Sequence, residues 1–261
     1  MLDNFFPTRM DKHLKKNNFL PLDNSPHSKH WSGSDTKELY EKNLKIQPQD
    51  WYYRNHSVTY TYNSKGYRTK EFNKIDWAES IVILGCSYVY GVGVDDAHTL
   101  SQQLENIMQI PVINLGQGGS SINYNLHNSV ILSAGYPTPR AVIMAWPHHS
   151  RCVYYDKYEL YHYGPWNSEK DSYMDLWSKK EYNTIANAVM AQKIFQQVWK
   201  DRTVIHEVAY DYATSELLDC KQCIHIDNAR DIPGPNEKGH PGPNTNRNIA
   251  EIIYNELKTK I

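Results

Sequence analysis

Apolar residues in this chain gather into short continuous runs, separated by stretches in which they recur at helical spacing. Ile81-Val82-Ile83-Leu84 is a run without a polar residue, ending in Gly85, as expected of a strand buried on both faces of a parallel sheet. Leu100, Leu104 and Ile107 or Met108 follow at helical spacing, with Asp95-Asp96 ahead of them as candidate N-caps. The alternation then recurs. Pro111-Val112-Ile113-Asn114-Leu115-Gly116 reads as a second strand, and Ser120 or Ser121 caps a helix carrying Ile122, Leu126 and Val130. Ala141 to Trp146 is a third strand, Ile185, Val189, Ala191 and Phe195 mark a longer helix, and Thr203-Val204-Ile205 opens a fourth strand. Cys223 to Ile226 is a fifth, and Ile249, Ile252, Ile253 and Leu257 give a last helix one apolar stripe. Strands alternating with helices predict an open, mostly parallel α/β sheet with helices on both faces. Ligands of such sheets sit at the carboxyl ends of the strands, which directs attention to the loops after Leu84, Leu115 and Trp146.

Two regions break the rhythm. Residues 1–75 form a polar arm whose first part, Met1 to about Gln49, is rich in Lys, Asn, Asp, Pro and Ser and reads as loosely structured, with one helix near Thr36 to Asn43. Within it, Trp51 to Tyr62 alternates aromatic and β-branched residues before the turn Asn63-Ser64-Lys65-Gly66, predicting a short strand or hairpin. The body, 76–261, is interrupted at about 153–177 by a Tyr-rich insertion holding Tyr154, Tyr155, Tyr158, Tyr161, Tyr163, Trp166, Tyr173 and Trp177. It leaves from the end of the third strand, so it is placed as a lid or wall beside the strand-end crevice, or as an excursion packed on the domain.

Composition narrows the class. Lys+Arg number 28 against 29 Asp+Glu, so no global field draws the chain to nucleic acid. No apolar run approaches the roughly 20 residues of a membrane span, in keeping with a mean hydropathy of -0.69. Met1 to Leu22 lacks the apolar core of a signal peptide, so the expected location is cytoplasmic, or outside the cell by release without a classical signal. Tyr outnumbers Phe 20 to 5, which gives much of the aromatic mass a polar handle suited to a wet surface. The oligomeric state is not legible.

The strand-end loops carry the candidate chemistry. In Gly85-Cys86-Ser87-Tyr88, a Ser directly after a buried strand and a Gly can expose its hydroxyl at the sheet edge with its own N–H facing the crevice. A phosphate-cradling loop fails on detail, because no Gly-Lys-Ser/Thr follows and no Gly-x-Gly-x-x-Gly is complete. The second loop, Asn114 to Ser121, is dense in glycine and could turn backbone amides toward an anion. Near the end of the chain, His240 is held between Gly239 and Pro241-Gly242, where it could serve as the base for Ser87.

Together these blocks resemble the SGNH hydrolases, the GDSL-like esterase and lipase family, over about Val82 to Ile253. The resemblance implies a three-layer α/β/α fold with a flavodoxin-like, mostly parallel five-stranded sheet. It implies Ser87 as nucleophile in a Gly-Asp-Ser block whose Asp is here Cys86, and His240 as base. It gives the amide of Gly119, together with that of Ser87, to the oxyanion hole, Gly116 being the weaker match. The family's Gly-x-Asn-Asp block is replaced by Trp146-Pro147-His148-His149-Ser150-Arg151, where His148 falls at the position of the oxyanion-binding Asn and Arg151 or Ser150 reshapes the pocket. In the Asp-x-x-His block the count gives Glu237 as the acid that orients His240. Asp231 is the rival if residues 232–237 are an inserted loop, and the order Ala229-Arg230-Asp231 slightly favours it. Tyr88, Trp146 and Arg151, in the same loops, are the expected substrate contacts. The implied activity is hydrolysis of a short, acetyl-like acyl ester of a small molecule or saccharide, with no metal or organic cofactor and no nucleic-acid partner. The alternative is a catalytically weak or inactive scaffold that binds carbohydrate or another protein.

Three other constellations were weighed. Cys220-Lys221-Gln222-Cys223 lacks the second pair that a structural zinc site wants, and reads as reduced thiols beside a strand. His225, in the same strand, reads as structural. Cys86 as a nucleophile in place of Ser87 would require its side chain to face the crevice, against the geometry that the family resemblance implies.

Overall fold

The structure is a computed structural model and describes residue 19 and residues 29–31, 37–56, 58–155, 160–164, 181–220, 222–224 and 239–261. In the arm, β1 (Lys29–Trp31), α1 (Lys37–Ile46), α2 (Tyr52–Asn55) and β2 (Val58–Tyr60) come first, with β1 and β2 paired antiparallel. The body follows as β3 (Ile81–Leu84), the single turn α3 (Ser87–Tyr90), α4 (Leu100–Met108), β4 (Val112–Asn114), α5 (Ile122–Gly135) and β5 (Ala141–Trp146). A hairpin of β6 (Cys152–Tyr155) and β7 (Leu160–Tyr163) precedes α6 (Glu181–Trp199), β8 (Val204–Ala209), α7 (Tyr212–Leu217), β9 (Gln222–Cys223) and α8 (Pro243–Leu257).

The main sheet has the order β4-β3-β5-β8-β9 and every pairing is parallel. Because successive strand residues face opposite sides, each apolar run feeds two layers. Val82, Leu84, Val142, Met144 and Trp146 pack on Ile131 and Leu132 of α5 and on Ala191, Phe195 and Trp199 of α6. Ile81, Ile83, Ala141, Ile143 and Ala145 pack on Leu100 and Leu104 of α4 and on Ile249, Ile253 and Leu257 of α8. This is the three-layer arrangement expected from the sequence. The connection after β3 leads to β4 and that after β5 leads to β8, so from these neighbouring strands the chain departs in opposite directions. Doubly wound sheets take their ligands at the carboxyl ends of strands at such a switch point.

Several local expectations shift. The stretch from Trp51 is not extended throughout: Tyr52–Asn55 is a helical turn, and only Val58–Tyr60 is strand. The end of the arm docks on the body, since Trp51, Tyr53, Val58, Tyr60 and Tyr62 form a cluster with Tyr90 and Val94. Asp95 and Asp96 do not cap α4, because Asp95 accepts from the Tyr52 hydroxyl and contacts His98, while Asp96 pairs with Arg68. Thr99 takes the cap, its hydroxyl accepting the Gln102 N–H at 3.3 Å. Ser121 caps α5, and Ser120 instead donates to the Gly85 carbonyl. Of the fifth strand, Gln222–Cys223 is present and Ile224 N–H still donates to Ala209. His225 and Ile226 lie outside the described residues.

Candidate active site

Ser87 owes its position to two glycines. A Cβ on Gly85 would stand 2.5 Å from Val89 Cγ2 and 3.0 Å from the Ala145 carbonyl, so only glycine lets the turn α3 lie against β5. At its other end Gly91 adopts φ +81, which closes the turn through Gly91 N–H and Val92 N–H to the Ser87 carbonyl. Ser87 thus stands at the first helical position directly beyond β3, where its N–H has no intrahelical acceptor. Ser87 Oγ makes no hydrogen bond among the described residues.

The second loop is tied to the first. Asn114 donates its side-chain amide to the Val89 carbonyl at 2.8 Å and accepts the Gly116 N–H at 2.9 Å. Gln117 N–H and the Ser120 hydroxyl both donate to the Gly85 carbonyl. Gly116 fits a space that a Cβ would fill, 2.6 Å from Tyr90 N, whereas Gly118 has open space on that side. Gly119 takes φ +72, and its N–H makes no hydrogen bond among the described residues. An amide without another acceptor is the condition that an oxyanion donor needs.

His148, just beyond β5, carries a proton that its surroundings assign. Its Nδ1 accepts the Ser150 N–H at 3.2 Å and lies 2.8 Å from Ser150 Oγ. A backbone N–H can only donate, so Nδ1 is the unprotonated nitrogen and Nε2 bears the hydrogen. Burial holds the imidazole below its ordinary pKa. Nearby Asp211 opposes that shift, while His149 and Arg151 reinforce it. The result is a neutral donor.

The fourth loop adds residues that the search of three strand ends missed. Tyr210, after β8, packs edge-on against Tyr88 with centroids 4.7 Å apart, and Tyr88 packs edge-on against His240 at 5.4 Å. His240 is thereby held against the residue following Ser87, on the segment leading into α8. Asp211 caps α7 through Thr214 N–H at 2.7 Å. The signal for both was the end of the fourth strand, itself readable in the sequence.

Asp231 and Glu237, the two candidate acids, lie outside the described residues. Arg151 is half-buried beside His148 and depresses the pKa of both His148 and His162. Trp146 does not face the crevice. It is fully buried, edge-on to Phe195, and its indole N–H donates to Glu207 at 2.8 Å, which makes it a core residue and not a substrate contact.

The insertion begins as the hairpin β6–β7, whose His162 sits edge-on against Tyr124 of α5 at 5.0 Å. Tyr158, Trp166, Tyr173 and Trp177 lie outside the described residues. Burial pushes the Cys220 thiol up to about 12, which disfavours a metal-binding thiolate. Among the described residues no three His, Cys, Asp or Glu side chains are grouped to hold a metal, and no helix is long and apolar enough to cross a membrane.

The fold is a three-layer α/β/α arrangement with Ser87, His148 and the Tyr88–His240 contact at the carboxyl end of its parallel sheet. No family model matches the chain, and no curated protein matches it in sequence. Among solved structures it is similar to an acetyl xylan esterase from Butyrivibrio proteoclasticus, at 12% identity and a TM-score of 0.44, over 71% of this chain and 65% of that one. It is also similar to a carbohydrate esterase family 2 enzyme with a carbohydrate-binding domain from Corynascus thermopiles (Myceliophthora fergusii), at 12% identity and a TM-score of 0.42, over 70% and 66%. The matched part is about two thirds of the length of each of these chains.

Proposed function

We propose that the protein is a serine esterase of the SGNH type that removes a short acyl group, acetyl in the simplest case, from a hydroxyl of a small molecule or saccharide. The observation that carries this reading is the placement of three groups at the carboxyl end of the sheet: Ser87 in the loop after β3, a neutral His148 with its Nε2–H in the loop after β5, and His240 packed against Tyr88, the residue after Ser87.

In the first half-reaction, Ser87 Oγ attacks the ester carbonyl carbon and His240 takes the hydroxyl proton. The oxyanion is met by the N–H groups of Ser87 and Gly119 and by His148 Nε2–H. Collapse expels the alcohol, protonated by His240, and leaves an acyl-Ser87. Water, deprotonated by His240, then releases the acid and restores the hydroxyl. Asp231 or Glu237 orients the imidazole. Because His148 is neutral, it strengthens its hydrogen bond only as charge develops on the oxygen, and it presents no cation to the ground state.

The test is a fluorophosphonate probe applied to wild type, Ser87→Ala, His240→Ala and His148→Ala, beside hydrolysis of short p-nitrophenyl esters. Labelling disappears in Ser87→Ala and falls steeply in His240→Ala. In His148→Ala hydrolysis drops about a hundred- to a thousandfold without vanishing. Labelling that survives Ser87→Ala removes the nucleophile assignment. A wild type that neither labels nor hydrolyses favours the second reading, a non-catalytic carbohydrate- or protein-binding scaffold, which the replacement of two family positions by Cys86 and His148 would permit.

A further inference from the structure

The segment leaving the Ser87 turn is held from outside the sheet by one side chain of the arm. Arg68 is buried, its side chain 1% exposed. Its guanidinium donates to the carbonyls of Tyr90 (3.1 Å), Gly91 (2.7 Å) and Val94 (3.0 Å), and to Asp96 Oδ1 through Nε and Nη2. It lies over the ring of Tyr60, 4.2 Å from the centroid, and the Tyr60 hydroxyl in turn accepts the Gly93 N–H at 2.6 Å. The gripped segment holds two residues at positive φ, Gly91 and Gly93, which leave the backbone free to move unless something fixes it. Its carbonyls belong to no strand, so buried donors must be supplied, and a planar guanidinium can serve several at once.

The grip lies one step from the nucleophile. Gly91 N–H and Val92 N–H both donate to the Ser87 carbonyl, so a displacement of Gly91 moves the turn that carries Ser87. We propose that Arg68 is a positioning residue: by holding the carbonyls of Tyr90, Gly91 and Val94 it fixes Ser87 Oγ in its attacking position, and the arm is thereby part of the working site. This inference rests on the serine-esterase reading.

The test uses the full chain with p-nitrophenyl acetate and the fluorophosphonate probe, at a temperature where circular dichroism finds each variant folded. Arg68→Ala lowers kcat roughly ten- to a hundredfold while KM stays within about twofold of wild type, as expected when a reacting group is displaced but the substrate pocket is kept. Millimolar guanidinium restores part of kcat to Arg68→Ala and leaves wild type unchanged. Arg68→Lys, which keeps the charge and loses the fork, falls between the two. If Arg68→Ala does not fold, Tyr60→Phe, which removes the acceptor of Gly93 N–H and keeps the ring, lowers kcat several-fold at unchanged KM. The inference is overturned if the folded variants retain wild-type kcat, or if lost activity tracks lost folded protein and guanidinium restores none. A wild type that the probe does not label at Ser87 refutes the esterase reading and this inference with it. A labelled wild type with unaffected variants refutes this inference alone.

Discussion

Replacing Gly116 by Ala tests how tightly the first two strand-end loops are fitted. The added Cβ would stand 2.6 Å from Tyr90 N, 2.7 Å from Val89 Cγ1 and 2.8 Å from Val89 Cβ, where ordinary contact begins at 3.4 Å. The nearest atom is backbone and another is a β-carbon, so no rotamer change removes the overlap. The loop or the α3 turn must shift by about 0.8 Å, the difference between 3.4 and 2.6 Å. Overpacking of this kind costs about 1–3 kcal/mol, and the rigid neighbours place Gly116→Ala near 3. For a chain of this size that lowers Tm by roughly 6–12 °C. The same shift strains the Asn114 to Val89 hydrogen bond and displaces Ser87, so the rate of fluorophosphonate labelling falls as well. Gly118→Ala is the control: its Cβ meets nothing within 4 Å, and Tm stays within about 2 °C of wild type. Differential scanning calorimetry of both variants decides the matter. Equal Tm values for Gly116→Ala and Gly118→Ala would refute the close approach of the two loops.

Burial holds the His162 imidazole down to about 4 from an ordinary 6.5, with the Arg151 charge adding to the effect. Between these values the unfolded chain binds a proton that the folded chain refuses, so stability is full above pH 6.5 and falls by about 3 kcal/mol toward pH 4. Urea titrations across this range should show the fall in wild type and a clear flattening in His162→Phe; an unchanged slope would remove His162 as its source. The Tyr210 hydroxyl is enclosed without a hydrogen-bond partner among the described residues, and burial raises its pKa. Tyr210→Phe deletes that unsatisfied group and should raise Tm by a few degrees, on the basis of about 1 kcal/mol; a lower Tm would mean that the hydroxyl has a partner.

The sheet was legible because its strands are buried on both faces, which leaves Ile81 to Leu84 and Ala141 to Trp146 without polar residues. The Ser87 loop was legible for the same reason, since the run ends sharply at a glycine. Trp146 shows what a run without alternation conceals. Val142, Met144 and Trp146 share one face, and that face packs on α6, so counting by twos would have sent the indole into the core. The docking of the arm on the body escaped for another reason. The arm's polar composition is real, but a few aromatic residues, Trp51, Tyr53, Tyr60 and Tyr62, suffice to dock it on Tyr90 and Val94. Neither Arg68 nor the diversion of Asp95 and Asp96 from capping could be read locally. Each depends on a partner distant in sequence, Tyr90 and Asp96 for the guanidinium and Tyr52 for Asp95.

Buried polar atoms without a hydrogen-bond partner among the described residues occur in the arm, at Asn43 and Trp51, and also around the carboxyl end of the sheet. Among the described residues, Gln117 Oε1, His149 Nδ1 and the Tyr210 hydroxyl are enclosed without a hydrogen-bond partner, and they belong to the loops after β4, β5 and β8. Each such group costs about 1–3 kcal/mol where it stays unpaired. The loops after β3 and β5 carry the two groups that the proposed reaction uses, the Ser87 hydroxyl and His148 Nε2–H, and the loops after β4 and β8 carry Gln117 and Tyr210. On the esterase reading proposed above, the polar character of these loops favours a hydroxyl-rich acyl acceptor over an alkyl chain, whose burial against them would leave polar groups unpaired.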